Sequence, residues 1–153
     1  MDEKISILKI FKYLIRRIAF LLPPSKLKNL TYSITGISVG KNVFIGDGVR
    51  FIDGYKTNHI KLEDNSVLSP GCILISHAST GNKIYDQEYN LIQSGKIVIG
   101  EFAWIGSGAV VMPDVIMGSR SILGANSFLN KKIKENDIWA GSPAKFIKKN
   151  IKS

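Results

Sequence analysis

The sequence predicts an all-β solenoid, a chain wound into three-sided coils that stack on one another, and three observations point to it. From Ile99 every sixth residue is apolar: Ile99, Ile105, Val111, Met117, Leu123 and Leu129. The residue four places further on is small or β-branched each time, at Ala103, Ala109, Val115, Ser121, Ser127 and Ile133. Glycine follows the apolar residue directly in four of the six repeats, at Gly100, Gly106, Gly118 and Gly124. A helix repeats apolar residues at three and four and a half-buried strand at two, so neither accounts for six. A coil that turns a corner every six residues does: one large side chain points inward per flat, a small one sits where space is short, and glycine stands where the backbone bends. Such coils pair through parallel strands, and their open ends need caps.

The same lattice runs through Val39, Ile45 and Phe51, and again through Leu62, Leu68 and Leu74, with Ser66, Cys72 and Ala78 four residues on. The phase slips between blocks mark insertions, a short one from Gly54 to Ile60 and a long polar one from Ser79 to Lys96. Three segments follow: residues 1–30, a helical cap or membrane-surface segment; 31–142, the β-solenoid with the insertion 79–96; and 143–153, a basic tail.

The 153 residues suffice for one domain with a core of its own, and the 44% hydrophobic content argues against disorder. A single cysteine, Cys72, forms no internal disulfide, and with two histidines the chain builds no zinc cluster, so a secreted disulfide scaffold is excluded and a reducing compartment favoured. At its lattice position Cys72 should point inward and be inert. The net charge of +9 resides at the ends: residues 1–30 and 131–153 each carry +5 and the middle −1. No basic stripe interleaved with aromatics crosses the chain, which argues against nucleic acid. Two basic ends suit a membrane surface or a phosphorylated small molecule.

Residues 4–22 read as a helix with Ile7, Leu8, Phe11, Leu14, Ile15, Ile18 and Leu22 on one face, opposite Lys9, Lys12, Tyr13 and Arg16, stopped by Pro23 and Pro24. Arg16 and Arg17 break the run too early for a signal peptide or a spanning helix. Two readings stay open: the apolar face docks on the solenoid as its cap, or it makes peripheral contact with an anionic membrane. The need for a cap favours docking.

The run IGEFAWIGSGAVVMPDVIMG from Ile99 to Gly118, with Gly124-Ala-Asn-Ser127 and Ala140-Gly-Ser-Pro-Ala-Lys145, resembles the hexapeptide-repeat acyltransferases, in the branch that acetylates sugars and xenobiotics. The resemblance covers residues 36–149 and departs at Asp114, where the family usually has glycine. It implies a left-handed parallel β-helix with an N-terminal amphipathic helix, an excursion loop and a short C-terminal helix or tail. It also implies acetyl-CoA as acyl donor, no metal, and a homotrimer with sites between subunits; the cysteine count and the basic helix together place the chain in the cytoplasm or at the inner face of its membrane.

On that resemblance His77, at the end of the second repeat block and just before the long insertion, matches the catalytic histidine. An imidazole there suits the removal of a proton from an attacking hydroxyl. Ala78 and Ser79 follow it, so a partner must come from elsewhere; Glu101 is the carboxylate candidate and a backbone carbonyl the alternative. Small residues at coil corners, Ser107, Gly108, Ala125 and Asn126, would let the pantetheine arm of coenzyme A lie against the backbone beside Trp104. Lys131, Lys132, Lys145 and Lys148 would meet its phosphates. Asn82, Tyr85 and Asp86 in the excursion loop suit sugar hydroxyls, and His59 reads as a surface residue. The leading expectation is an O-acetyltransferase acting on a sugar hydroxyl in bacterial surface-polysaccharide synthesis. The alternatives are N-acetylation of an amino sugar or nucleotide sugar, and a non-catalytic binding module.

Overall fold

The structure, a computed structural model, describes residues 7–150; positions 4–6 of the expected helix and 151–153 of the expected tail lie outside the described residues. Helix α1 spans Ile7–Leu21 and helix α2 Lys26–Ile34, whose first turn is capped by Ser25 Oγ accepting from Lys28 N. The solenoid follows as successive turns around three flats, here A, B and C. The first coil contributes β1 (Ser38–Val39), β2 (Phe44–Ile45) and β3 (Arg50–Ile52) to A, B and C in turn. The second adds β4 (Ile60–Leu62), β5 (Val67–Leu68) and β6 (Ile73–Ile75) in the same order.

Between the second and third coils the chain leaves the prism. Strand β7 (His77–Ala78) leads to helix α3 (Lys83–Tyr89) and returns as β8 (Gln93–Ser94), antiparallel to β7, so the expected excursion loop carries a strand, a helix and a returning strand of its own. The third coil is β9 (Ile97–Ile99), β10 (Trp104–Ile105) and β11 (Val110–Val111); the fourth is β12 (Ile116–Met117), β13 (Ile122–Leu123) and β14 (Phe128–Leu129). Every pairing between coils is parallel. The end is closed by β15 (Asp137–Gly141), parallel to β13, and β16 (Ala144–Lys149), which turns back antiparallel on it. A strand therefore stands where a short helix or free tail is expected. It satisfies the β15 edge that an open solenoid would expose, and an ion pair from Lys149 to Asp137 holds it.

The period-six residues form the core. Ile99, Ile105, Val111, Met117, Leu123 and Leu129 have no exposed surface, and the small partners from Ala103 to Ile133 are buried beside them. Cys72 is likewise buried, and burial pushes its thiol up to about 12, which leaves it a packing residue. Asp114 adopts the left-handed φ of +62° at its corner, so aspartate serves there in glycine's place.

The lattice glycines act differently from the expectation that they mark bends. Gly106 has no positive φ; a Cβ there would lie 2.4 Å from Ala125 N and 2.7 Å from Gly124 C, both backbone of the next coil. The bends between flats A and B are instead taken by Asn42, Asn65, Phe102, Arg120 and Asn136, all with φ between 53° and 59°. Gly106→Ala should therefore cost about 3 kcal/mol through overpacking and lower the melting midpoint by roughly 6–12 °C. Thermal unfolding followed by circular dichroism checks this, and an unchanged midpoint would refute the close-approach explanation.

Helix α1 docks on the first coil, but with the face opposite to the one its apolar pattern predicts. Its buried residues are Lys12 and Ala19. Lys12 Nζ donates to Tyr55 O and Thr57 Oγ1, both at 3.2 Å, and Arg16 donates to Thr35 Oγ1 at 3.0 Å. Ile7, Phe11, Leu14, Ile18 and Leu21 face away, with Ile7 86% and Leu21 82% exposed. The corner under the helix presents a buried carboxylate, Asp53, together with backbone carbonyls, and those groups demand donors that an apolar stripe lacks.

Candidate functional site

His77 sits where the third flat of the second coil ends and the excursion begins, at the corner between flats C and A. Its backbone is held by the β7–β8 ladder, opposite Ser94. Its ring lies against Gly54, where an added Cβ would be 3.0 Å from His77 Cδ2, and the φ of +61° at Gly54 also favours glycine. Nδ1 of His77 is buried without a hydrogen bond, so Nε2 is the nitrogen left to exchange a proton. Burial lowers the pKa below the ordinary histidine value, and Lys56 and His59 push it the same way, while Asp53 and Asp86 oppose them. A neutral, proton-accepting imidazole is thereby favoured.

The imidazole borders a cavity of about 650 Å³ between α1 and flat C of the first coil. Helix α1 contributes Tyr13, Arg16, Arg17 and Phe20 to its wall, the coil contributes Arg50 and Asp53, and the excursion contributes Ser79. Asp53 anchors this wall: both carboxylate oxygens accept from the Arg16 guanidinium, at 2.6 and 2.8 Å, and Oδ1 also accepts from Tyr55 N at 2.9 Å. The Arg16 guanidinium lies 4.8 Å over the Tyr55 ring, and Arg17 donates to Tyr13 Oη at 3.1 Å. These residues went unrecognised in the sequence, where the only hint was a polar Asp53-Gly54 pair at the phase slip.

The structure separates the other candidates by corner. Glu101 lies at the corner between flats A and B, beside a cleft lined by Gly40, Glu63 and Asp64, and is not among the charges acting on His77. Within one chain the expected Glu101–His77 pair does not form: Glu101 follows flat A, whereas His77 precedes it, and a whole flat lies between them. The carboxylates acting on His77 within the chain are Asp53 and Asp86. His59, expected to be a surface residue, also acts on His77 and has a buried Nδ1.

The excursion residues are largely committed to their own fold. Asn82 Oδ1 caps α3 by accepting from Ile84 N and Tyr85 N, both at 3.1 Å. Asp86 is buried and accepts from Ser79 Oγ at 2.6 Å, Thr80 Oγ1 at 2.8 Å and Thr80 N at 3.0 Å. The Ser79 hydroxyl and the Thr80 groups hold its carboxyl below the usual range. As a sugar ligand Asp86 is corrected to a structural role, because it is buried with both oxygens engaged, whereas Asn82 is exposed and only its Oδ1 is committed to the cap. Tyr85 remains half-exposed, its ring 4.6 Å from that of Tyr89.

Ser107, Gly108, Ala125 and Asn126 stack at the corner between flats B and C, joined by Asn126 N donating to Ser107 O at 2.9 Å. Lys145 follows the β15–β16 turn at the same corner, and Trp104 stands half-exposed on flat B with its Nε1 donating to Ser69 Oγ at 2.8 Å. Lys131 and Lys132 are exposed at the corner between C and A, two coils beyond His77. Within one chain, His77 and the Ser107–Asn126 stack thus lie at opposite ends of flat C and are not brought together.

A parallel β-helix of six-residue repeats, with a histidine beside a cavity at a repeat-to-loop junction, defines a hexapeptide-repeat scaffold. The family model for bacterial transferase hexapeptide (six repeats) matches residues 96–131. Galactoside O-acetyltransferase of Escherichia coli strain K12 is 29% identical over 116 residues, 74% of this chain and 54% of that protein. WbbJ of the same strain, an O-acetyltransferase assigned provisionally to lipopolysaccharide biosynthesis, is 30% identical over 117 residues, 76% of this chain and 52% of that protein. The chain spans about half the length of these curated relatives. Among solved structures, the hexapeptide-repeat acetyltransferase VCA0836 of Vibrio cholerae superposes with a TM-score of 0.78 over 99% of this chain and 96% of that one, at 17% identity. The chain thus carries the bacterial transferase hexapeptide repeat and is similar to hexapeptide-repeat acetyltransferases, and its fold is the left-handed parallel β-helix.

Proposed function

We propose that this chain transfers an acetyl group from acetyl-CoA to a hydroxyl of a sugar, in the synthesis of a bacterial surface polysaccharide, with His77 as general base. The observation that carries this reading is an imidazole of lowered proton affinity at the edge of a roomy, partly apolar cavity. The acetyltransferase names of the relatives supply the chemistry. As the acceptor oxygen bonds to the thioester carbonyl carbon, His77 takes the hydroxyl proton. When the carbon–sulfur bond breaks, His77 returns that proton to the departing thiolate, so the imidazole ends neutral.

We infer further that the working unit is a cytoplasmic homotrimer. In one chain flat C separates His77 from the corner of Ser107, Gly108, Ala125 and Asn126, so the corner of a neighbouring copy completes the groove. Lys131, Lys132 and Lys145 would then neutralise coenzyme A phosphates, and Trp104 would flank the pantetheine arm. Thiol release from acetyl-CoA with a panel of sugars tests the activity, and light scattering at about three times 16.9 kDa tests the assembly. Turnover on amino sugars alone would move the reading to N-acetylation. A stable monomer at micromolar concentration would refute the shared groove.

A further inference from the structure

The described part of the N-terminal pair, residues 7–34, contains six basic side chains and no acidic one. The fold divides these cations into two sets. Lys12, Arg16 and Lys28 turn inward: Lys12 and Arg16 onto the coil corner, and Lys28 Nζ, fully buried, onto Gly46 O at 3.1 Å. Lys9, Arg17 and Lys26 stay exposed. The apolar stripe of α1, with Ile7, Ile10, Leu14, Ile18 and Leu21, faces directly away from the solenoid, and Leu27, Leu30 and Ile34 of α2 are exposed as well. An amphipathic helix has thus been mounted polar face down, and its apolar face finds no cover among the described residues.

We propose that this outward face of α1 and α2 docks on an anionic membrane surface, lying in the plane of the interface. At 15 residues, α1 extends about 22 Å, short of the roughly 30 Å hydrocarbon core, and no described helix is long and apolar enough to cross a membrane. Charge complementarity selects lipid over a second copy of this chain. An isologous pairing of the same face would bring Lys9, Arg17 and Lys26 against their equivalents with no carboxylate among the described residues of either helix, whereas anionic headgroups match cations beside an apolar stripe. The flank of α1 that carries Tyr13, Arg17 and Phe20 lines the His77 cavity, so docking would place that cavity beside the headgroup layer. This goes beyond the acetyl-transfer reading and does not depend on it.

The test is flotation of the full chain with vesicles of phosphatidylcholine alone and of phosphatidylcholine mixed with phosphatidylglycerol. The expected result is co-flotation with the anionic vesicles, weakened by high salt and by Lys9→Glu with Lys26→Glu. Leu14→Asp with Ile18→Asp should lower the bound fraction about tenfold or more. Because both side chains are exposed and outside the cavity, the melting midpoint, the scattering mass and thiol release with a water-soluble acceptor should be unchanged. Absence of the chain from the anionic vesicle fraction would overturn the proposal, as would undiminished flotation of the Leu14/Ile18 variant. A fall in scattering mass in that variant would assign the face to a second copy and also overturn it.

Discussion

Replacing His77 by alanine is expected to lower turnover about a hundredfold or more while leaving the Michaelis constant for acetyl-CoA nearly intact. A sugar hydroxyl holds its proton so tightly that attack without a base is slow, and Nε2 of His77 is the imidazole nitrogen exposed beside the cavity. The pH profile carries a second signature. Burial, then Lys56 and His59, lower the proton affinity of His77, so the acid limb of the rate should fall below the ordinary histidine value of about 6.5. Activity rises with pH through that lowered value, because only the neutral imidazole accepts a proton. Lys56→Gln removes a nearby cation and should move the limb to higher pH; Asp53→Asn removes an opposing anion and should move it lower. Steady-state kinetics between pH 5 and 8 read both shifts. Retention of more than a third of wild-type turnover by His77→Ala with every acceptor would end the general-base assignment.

Asp53→Ala should be the most damaging change outside the solenoid core, costing about 3–5 kcal/mol. The Asp53 side chain is fully buried and that of Arg16 is 11% exposed, so truncation leaves a largely buried guanidinium without its carboxylate and Tyr55 N without its acceptor. The melting midpoint should drop by roughly 6–20 °C for a chain of this size. Helix α1 would lose the bond that draws its polar face onto the coil, and the cavity would lose a wall, so the Michaelis constant for the acceptor should rise more than that for acetyl-CoA. A double-mutant cycle with Arg16→Met checks the pairing: the two losses should be far from additive. Additive losses would mean that the ion pair contributes nothing of its own.

The repeat lattice was legible because each coil repeats one local instruction. A large residue inward, a small one four later and a glycine after it describe how a strand packs on its own neighbours one turn away. The inward direction of Cys72 and the closure of the core from Ile99 to Leu129 follow from that register alone. The corner position of His77 was legible too, since it is simply where the lattice stops.

What surrounds His77 was not legible, because those contacts join residues related by no period. Asp53 and Arg16 are 37 positions apart and meet only because the short insertion and helix α1 reach the same corner. Glu101 looked suitable by residue type, yet the count of flats places it at another corner. Asp86 looked like a sugar ligand until the folding of the excursion engaged its oxygens. Helix α1 shows the same division. Its hydrophobic pattern determined that it is a helix with one apolar stripe, but which face meets the protein was decided by the coil beneath it, whose buried carboxylate and carbonyls attract cations and repel the stripe. Pattern in a sequence specifies how an element is divided between polar and apolar sides; only the chemistry of the surface it lands on chooses the side that is buried.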